Sequence, residues 1–235
     1  MFRMQFFEKN GVLVKGEKEL FVDGIGVRQK DVLVSHAHSD HAKIRSSNNY
    51  FMTEQTRALC GAREMKNIVD VYFGQKFRVG EFDVSLHPSG HILGSAQCRI
   101  SNSLDSVVTA DFKLQKSILF EPAEVLPCDV LVIESTFGKP SFSFPARDIV
   151  YSDMLSWING ELSKNHFVVL GGYSTGKAQE LTKFSNEFLN QPPLVFRKIF
   201  EQNKVYEKFG LKLGDYFLLD NNLKESNILI VPPHL

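Results

Sequence analysis

Residues 31–42 read Asp31-Val32-Leu33-Val34-Ser35-His36-Ala37-His38-Ser39-Asp40-His41-Ala42, an apolar run that ends in three histidines and an aspartate. The run is short and bounded by polar residues, so it predicts a buried strand. The histidine cluster then sits on the loop that leaves the strand, where a rigid scaffold can aim side chains into a cleft. On extended backbone His36 and His38 point the same way, because side chains alternate with a period of two. Asp40 and His41 fall where the chain can turn into a helix, which directs them at a neighbouring position. Imidazole and carboxylate are the ligand types of hydrolytic zinc. Two such pairs from one loop point to two metal positions side by side.

Outward from this loop, polar residues recur at the ends of apolar runs. Asp23 follows Leu20-Phe21-Val22, and His91 lies in His87-Pro88-Ser89-Gly90-His91-Ile92-Leu93-Gly94-Ser95. Asp111 ends Val107-Val108-Thr109-Ala110-Asp111, and Glu134 opens Glu134-Ser135-Thr136-Phe137-Gly138 after Val130-Leu131-Val132-Ile133. Strands are predicted over 11–15, 19–22, 31–35, 81–86, 98–101, 106–109 and 130–133, with one helix over 54–66 that Thr53 caps. The first part is therefore β-dominated. Beyond residue 140 an amphipathic stretch (144–163), a strand (167–170), a helix (175–189) and an apolar run (227–231) follow, an alternation that predicts a parallel α/β unit. The division expected is 1–140 and 141–235, and the run 228–231 is expected to lack cover.

Composition narrows the function classes. Lys+Arg and Asp+Glu balance at 27 each in 235 residues, so a nucleic-acid site must be a local patch on a neutral body. No apolar run reaches membrane-spanning length and residues 1–10 show no signal-peptide pattern, which predicts a soluble cytoplasmic chain with no membrane partner. Cys60, Cys98 and Cys128 form no CxxC pair and read as free thiols.

HxHxDH, GHxxGS, a strand-end aspartate and ESTFG, in that order, resemble the metallo-β-lactamase superfamily. ESTFG and the later Gly176-Lys177-Ala178-Gln179-Glu180 narrow the resemblance to its β-CASP branch, the nucleases of RNA processing and DNA repair. It runs from about residue 21 to about 231. It implies a metallo-β-lactamase-type αββα sandwich in the first half, followed by part of a β-CASP-like α/β region. It implies that His36, His38 and His91 hold one zinc, that Asp111 bridges to a second, and that Asp40 and His41 hold the second. Asp23 resembles the group that supports the ligand loop, Glu134 one that orients a ligand histidine, and Asp40 would also orient the attacking hydroxide. The implied activity is hydrolysis of phosphodiester bonds at RNA or single-stranded DNA ends by two zinc ions, with RNA processing, such as mRNA 3′-end processing, preferred. Enzymes of this branch also use later histidines, one in a further Ser-Asp-His context, and after His41 the sequence offers only His87, His91, His166 and His234, none in that context. The expectation is therefore an N-terminal portion that works with a separate C-terminal partner chain or as a homo-oligomer. The alternatives are a non-catalytic metal-binding subunit and a DNA-repair exonuclease fragment.

Other residues invite plainer readings. His87 reads as structural or cleft-lining, His166 as a boundary histidine and His234 as part of a loose terminus. Gly171-Gly172-Tyr173-Ser174-Thr175-Gly176-Lys177-Ala178 nearly spells a phosphate-cradling loop, but Ala178 stands where Ser or Thr would hold magnesium. Lys177, with Ser135 and Thr136, remains a candidate substrate contact. The basic, aromatic stretch 196–212 reads as an amphipathic helix rather than a single-strand groove.

Overall fold

The computed structural model describes residues 4–220 and 225–233. The chain divides into two compact units, one running to Leu114 and taking in Pro122–Thr136, the other formed by Gln115–Glu121 and the chain from Phe137 onward.

The first unit is built on two sheets. One places β1 (Gln5–Glu8), β2 (Val12–Lys15), β3 (Glu19–Val22), β4 (Asp31–Leu33), β5 (Asn49–Met52) and β6 (Ile68–Asp70) side by side in chain order. The first three are antiparallel, and β3 to β6 are parallel. The other orders β11 (Val130–Val132), β10 (Asp105–Val108), β9 (Ala96–Ser101), β8 (Phe82–Pro88) and β7 (Phe77–Val79), with β11 joining β10 in parallel. Val14, Leu20, Val22 and Leu33 from the first sheet share one buried core with Val84, Leu86, Cys98, Ile100 and Val108 from the second. Their spacing of two is what lays one face of each sheet on the other. The opposite face of the first sheet is buried too, as Phe21, Val32, Val34, Tyr50 and Met52 pack on Ala62 and Met65. A strand buried on both faces reads as an unbroken apolar run, which is why β3 and β4 were visible in the sequence.

Thr53 caps α1 (Glu54–Leu59) by accepting from the Thr56 N–H. The helix is shorter than the predicted 54–66 because Gly61 turns into the left-handed region at φ +68°. Strands β3 and β4 run parallel, as do β10 and β11, so Asp23 and the histidine loop leave one edge of their sheet together, and Asp111 and Glu134 leave one edge of theirs. The Ala96 N–H donates to the Ser35 carbonyl at 2.8 Å, which ties the start of β9 to the end of β4.

The second unit contains α2 (Arg147–Leu162), β12 (Val168–Gly171), α3 (Lys177–Leu189), β13 (Leu194–Val195), α4 (Arg197–Lys208), β14 (Phe217–Leu218) and β15 (Ile228–Val231). Its sheet is parallel throughout, in the order β12-β15-β13-β14. Here one expectation is corrected. The run 228–231 does not lack cover, because it is an interior strand whose Ile228 and Ile230 are fully buried against α2, α3 and their neighbours. Stretch 196–212 forms the amphipathic α4, with Ile199, Asn203 and Tyr206 turned inward. The three cysteines are free thiols, and burial pushes the Cys60 thiol up to about 12. Among the described residues no helix is long and apolar enough to cross a membrane.

Candidate metal centre

The centre is assembled in the first unit from the ends of β3, β4, β8 and β10. Asp23 leaves β3 in the left-handed region at φ +57°, a conformation that costs a residue with a side chain on the order of 1 kcal/mol. Gly11 permits this turn, since a Cβ there would stand 2.5 Å from the Asp23 carbonyl oxygen. So placed, the Asp23 carboxylate accepts from the Ser35 N–H at 2.8 Å and from the Ser35 hydroxyl at 2.6 Å. Its Oδ2 also accepts from His41 Nδ1 at 2.8 Å.

These bonds fix tautomers. The Ser35 hydroxyl has one proton, which it donates to Asp23, so at 2.9 Å it accepts from His36 Nδ1. His36 Nε2 is left as a lone pair facing inward, and by the same logic so is His41 Nε2. His36 is fully buried. Burial first, then the charges of His41, His91 and His38, push its pKa far below the ordinary histidine value, so it stays a neutral donor.

Four donor atoms converge on one point. His38 Nδ1 lies 3.1 Å from His36 Nε2 and 3.2 Å from His91 Nε2. Asp111 Oδ2 lies 3.4 Å from His91 Nε2 and 3.7 Å from His36 Nε2. A tetrahedral ion with bonds of about 2.0–2.1 Å holds its ligands about 3.3–3.4 Å apart, so the set fits zinc. The other oxygen of Asp111, Oδ1, lies 3.5 Å from His41 Nε2, which in turn lies 3.8 Å from Asp40 Oδ2. One carboxylate therefore faces two donor sets. Asp23 also lies among His36 and His41. Its lone pairs are already committed to Ser35 and His41, which makes it the anchor of the second set rather than a ligand.

The loop that carries His91 is held by residues that sequence reasoning passed over. The Ser95 hydroxyl accepts from the backbone N–H groups of His91 (3.1 Å) and Ile92 (3.0 Å). The Gly94 carbonyl accepts from the hydroxyls of Thr53 (2.8 Å) and Thr56 (3.0 Å), which locks the loop to the first turn of α1. Ser35 directly precedes His36 and Ser95 closes the GHxxGS motif four residues after His91, and those positions were the available signal.

Not every candidate falls where it was expected. Glu134 does not hold a histidine; its Oε2 accepts the Thr136 N–H at 2.7 Å, because the chain turns back on itself directly after β11. Asp23 does the orienting instead. Glu134 still lines a cleft of about 290 Å³ with Asp23, Asp40, His41 and Asp111. Asp40 is largely exposed, as are Ser135 and Thr136. Lys177 belongs to the second unit, where its ammonium pairs with Glu180 at 2.7 Å. The phosphate-cradle motif is filled from within, as Gln179 Oε1 takes the Gly176 N–H and the Tyr173 carbonyl takes the Ala178 N–H. His87 bridges the Ser85 hydroxyl and Glu124, His166 pairs with Glu161, and His234 lies outside the described residues.

Two shifts give the centre a pH signature. Burial works against a charged His41, but the Asp23 hydrogen bond and the carboxylates of Asp23, Asp111 and Asp40 outweigh it, and the pKa rises. Burial is the main cause of a raised pKa at Asp111, and nearby Glu134 and Asp40 add to it against the pull of His41. Both groups hold protons more tightly folded than unfolded. Their stabilisation is complete below the unfolded pKa values and is lost as pH rises through the folded ones. A metal bound here would displace these protons, so its affinity would rise with pH. His36, held neutral by burial, acts the other way and favours the fold as pH rises through the ordinary histidine value. The metal-free protein should therefore change little in melting temperature between pH 6 and pH 8, whereas with saturating zinc it should melt higher at pH 8. Parallel melting curves with and without zinc check this.

No family model matches this chain. It is 34% identical over 210 residues to a probable DNA ligase of Opitutus terrae, a match that covers 87% of the chain and 20% of that protein. It is 29% identical over 184 residues to RNase aCSPSF2 of Saccharolobus solfataricus, covering 65% of the chain and 37% of the relative. An Acidianus ambivalens protein named only for its place in the lig 3′ region is 30% identical over 144 residues, which are 60% of the chain and 99% of that protein. The chain thus spans well under half the length of the first two. A solved Enterococcus faecalis protein of unknown function shares the fold at a TM-score of 0.56 and 13% identity, over 87% of this chain and 58% of that one.

Proposed function

We propose that this chain, which belongs to one family with the Acidianus protein, is a member of the β-CASP branch of the metallo-β-lactamase superfamily, a reading its kinship with RNase aCSPSF2 supports, and that it hydrolyses phosphodiester bonds of nucleic acid. The observation that carries the reading is Asp111, whose two oxygens face two separate sets of histidine and aspartate donors. His36, His38, His91 and Asp111 would hold one zinc ion, and Asp40, His41 and Asp111 a second. Two such ions, when bound, supply an acidified water and positive charge for the phosphate oxygens at neutral pH. The chain's residues do the rest. Ser35 and Asp23 keep protons on the outward nitrogens of His36 and His41, and exposed Asp40 is open to accept a proton from the attacking water. Two sheets on one core, with α1 and its loop outside the first, support the αββα reading of the first unit.

The test is the purified chain, stripped with EDTA and reloaded with zinc, on end-labelled RNA and single-stranded DNA. Two zinc ions per chain and metal-dependent cleavage are expected. A chain that takes up no zinc and cuts neither polymer overturns the reading. Zinc uptake without cleavage would instead fit a metal-binding subunit. RNA is the substrate suggested by the relative named RNase aCSPSF2. A second reading, the trimming of DNA ends, is favoured by the identity to a protein named as a DNA ligase and by a relative named for its place beside lig. The ratio of RNA to DNA cleavage decides between them.

The proposal includes a protein partner, a separate chain or a second copy. Val125, Leu131 and Ile133 support it, being 80%, 53% and 53% exposed in the first unit. The purified chain should sediment as an oligomer or with a partner; an active, zinc-loaded monomer would remove this part.

A further inference from the structure

We propose that Phe137, Phe142 and Phe144 form a platform on which the bases of a single strand of nucleic acid stack. The inference deepens the nuclease reading and rests on it.

Phe7, Phe73, Phe167 and Phe188 are exposed as well, at 40–46%, but the three rings of this segment are exposed and clustered together. They are 57%, 47% and 60% exposed, whereas Phe21, Phe82 and Phe184 are each 1% exposed in the cores. They pack on one another, with Phe137 edge-on to Phe142 at 5.3 Å and to Phe144 at 5.1 Å. Phe142 and Phe144 lie within 10° of parallel, centroids 6.4 Å apart. Phe142 and Phe144 flank Ser143 outside any strand or helix, and the near-parallel stacking of their rings puts the two on one side. The Phe142 N–H donates to the Lys139 carbonyl at 2.9 Å, closing the turn that brings Phe137 against the pair. Pro140 and Pro145 bracket the segment and limit the entropy lost when it is held still.

A cluster of this kind presents flat aromatic faces in two parallel planes, not a continuous apolar groove. Every base has a π-face, so such faces accept a strand without regard to its sequence, and an adjacent cation takes the phosphate. Lys139 supplies that cation from an exposed position inside the same segment. The segment also continues directly from the chain that lines the metal cleft. Phe137 follows Glu134 by three residues, so whatever the arrangement of the two units, covalent reach keeps their Cα atoms within about 11 Å. In a duplex the bases are already stacked, and the platform would have nothing to hold.

The test uses the full chain in EDTA with fluorescein-labelled oligo(dT) and oligo(U), read by anisotropy. The Phe142→Ala/Phe144→Ala variant should weaken binding of both at least about ten-fold, with duplex binding, zinc content and melting temperature unchanged. Lys139→Gln should lower the slope of log affinity against log salt by about 0.7. Phe144→Trp serves as a folded reporter, whose emission bound bases should quench. The platform is overturned if the parent binds neither oligomer, or if the double variant binds as the parent does and the emission of the Phe144→Trp variant does not respond. A double variant that loses self-association but keeps strand binding assigns the patch to protein and overturns it too. Zinc-dependent cleavage by the parent is scored separately. Strand binding that needs the rings in a chain that cuts nothing supports the platform and sinks the nuclease reading; cleavage with ring-independent binding does the reverse.

Discussion

Replacing Asp111 with asparagine is expected to abolish cleavage, by about 10³-fold or more, and to lower the zinc content from two ions to at most one. Asparagine keeps the shape of the side chain and changes its charge and donors. In the native centre each carboxylate oxygen faces a different set, Oδ2 toward His36 and His91 and Oδ1 toward His41. The amide can offer an oxygen to only one of them. Its NH₂ group would meet an imidazole lone pair on the other side and satisfy it as a hydrogen-bond donor, closing that position to metal. The same exchange should not harm the fold. Burial opposes the ionised Asp111, so removing that charge should leave the metal-free variant melting no lower than the parent at pH 8. Activity and stability would move in opposite directions, the mark of a group retained for chemistry. Retention of two zinc ions with less than a ten-fold loss of cleavage would show that Asp111 is no bridge.

The parts of this centre that were legible in the sequence are those whose geometry is local. His36 and His38 sit two apart on extended backbone, and the turn that follows, in which the His41 and Ala42 N–H groups donate to the His38 carbonyl, brings His41 round. Residue type and spacing suffice for that. Glu134 was different. Its place after a strand was readable, but whether its carboxylate reached a histidine or its own backbone depended on a turn at Thr136 that no pattern announces. The same limit applies to the strands. β3 and β4 are buried on both faces and declare themselves as apolar runs. β1, with three of its four residues exposed, and the two-residue β13 and β14 exist because a neighbour pairs with them. β15 was read as an apolar run but not as a covered one, because its cover comes from helices and strands placed beside it only by the parallel topology.

Gly94→Ala is expected to unfold the chain at ambient temperature or to cost roughly 3–5 kcal/mol, while Gly74→Ala costs only about 1–2 kcal/mol. The comparison isolates one cause. Both glycines adopt the same left-handed backbone, φ +73° and +74°, so a methyl group meets the same intrinsic strain at each. At Gly74 that is all it meets, since nothing lies within 4 Å of the added carbon. At Gly94 the methyl would stand 2.5 Å from the Gln55 Cβ, 2.6 Å from the Thr53 hydroxyl and 2.8 Å from the Thr56 nitrogen. All three atoms belong to the cap and first turn of α1, none to the end of a flexible side chain, so relief requires the loop to lift from the helix. Lifting breaks the bonds from Thr53 and Thr56 to the Gly94 carbonyl and carries off His91, three residues away. Urea midpoints of the two variants, each with and without zinc, read both effects. Gly74→Ala should gain as much stability from zinc as the parent, whereas any folded Gly94→Ala should gain less, having lost a ligand along with its anchor. Equal losses at the two positions would mean that the loop is held in some other way than by close seating on the helix.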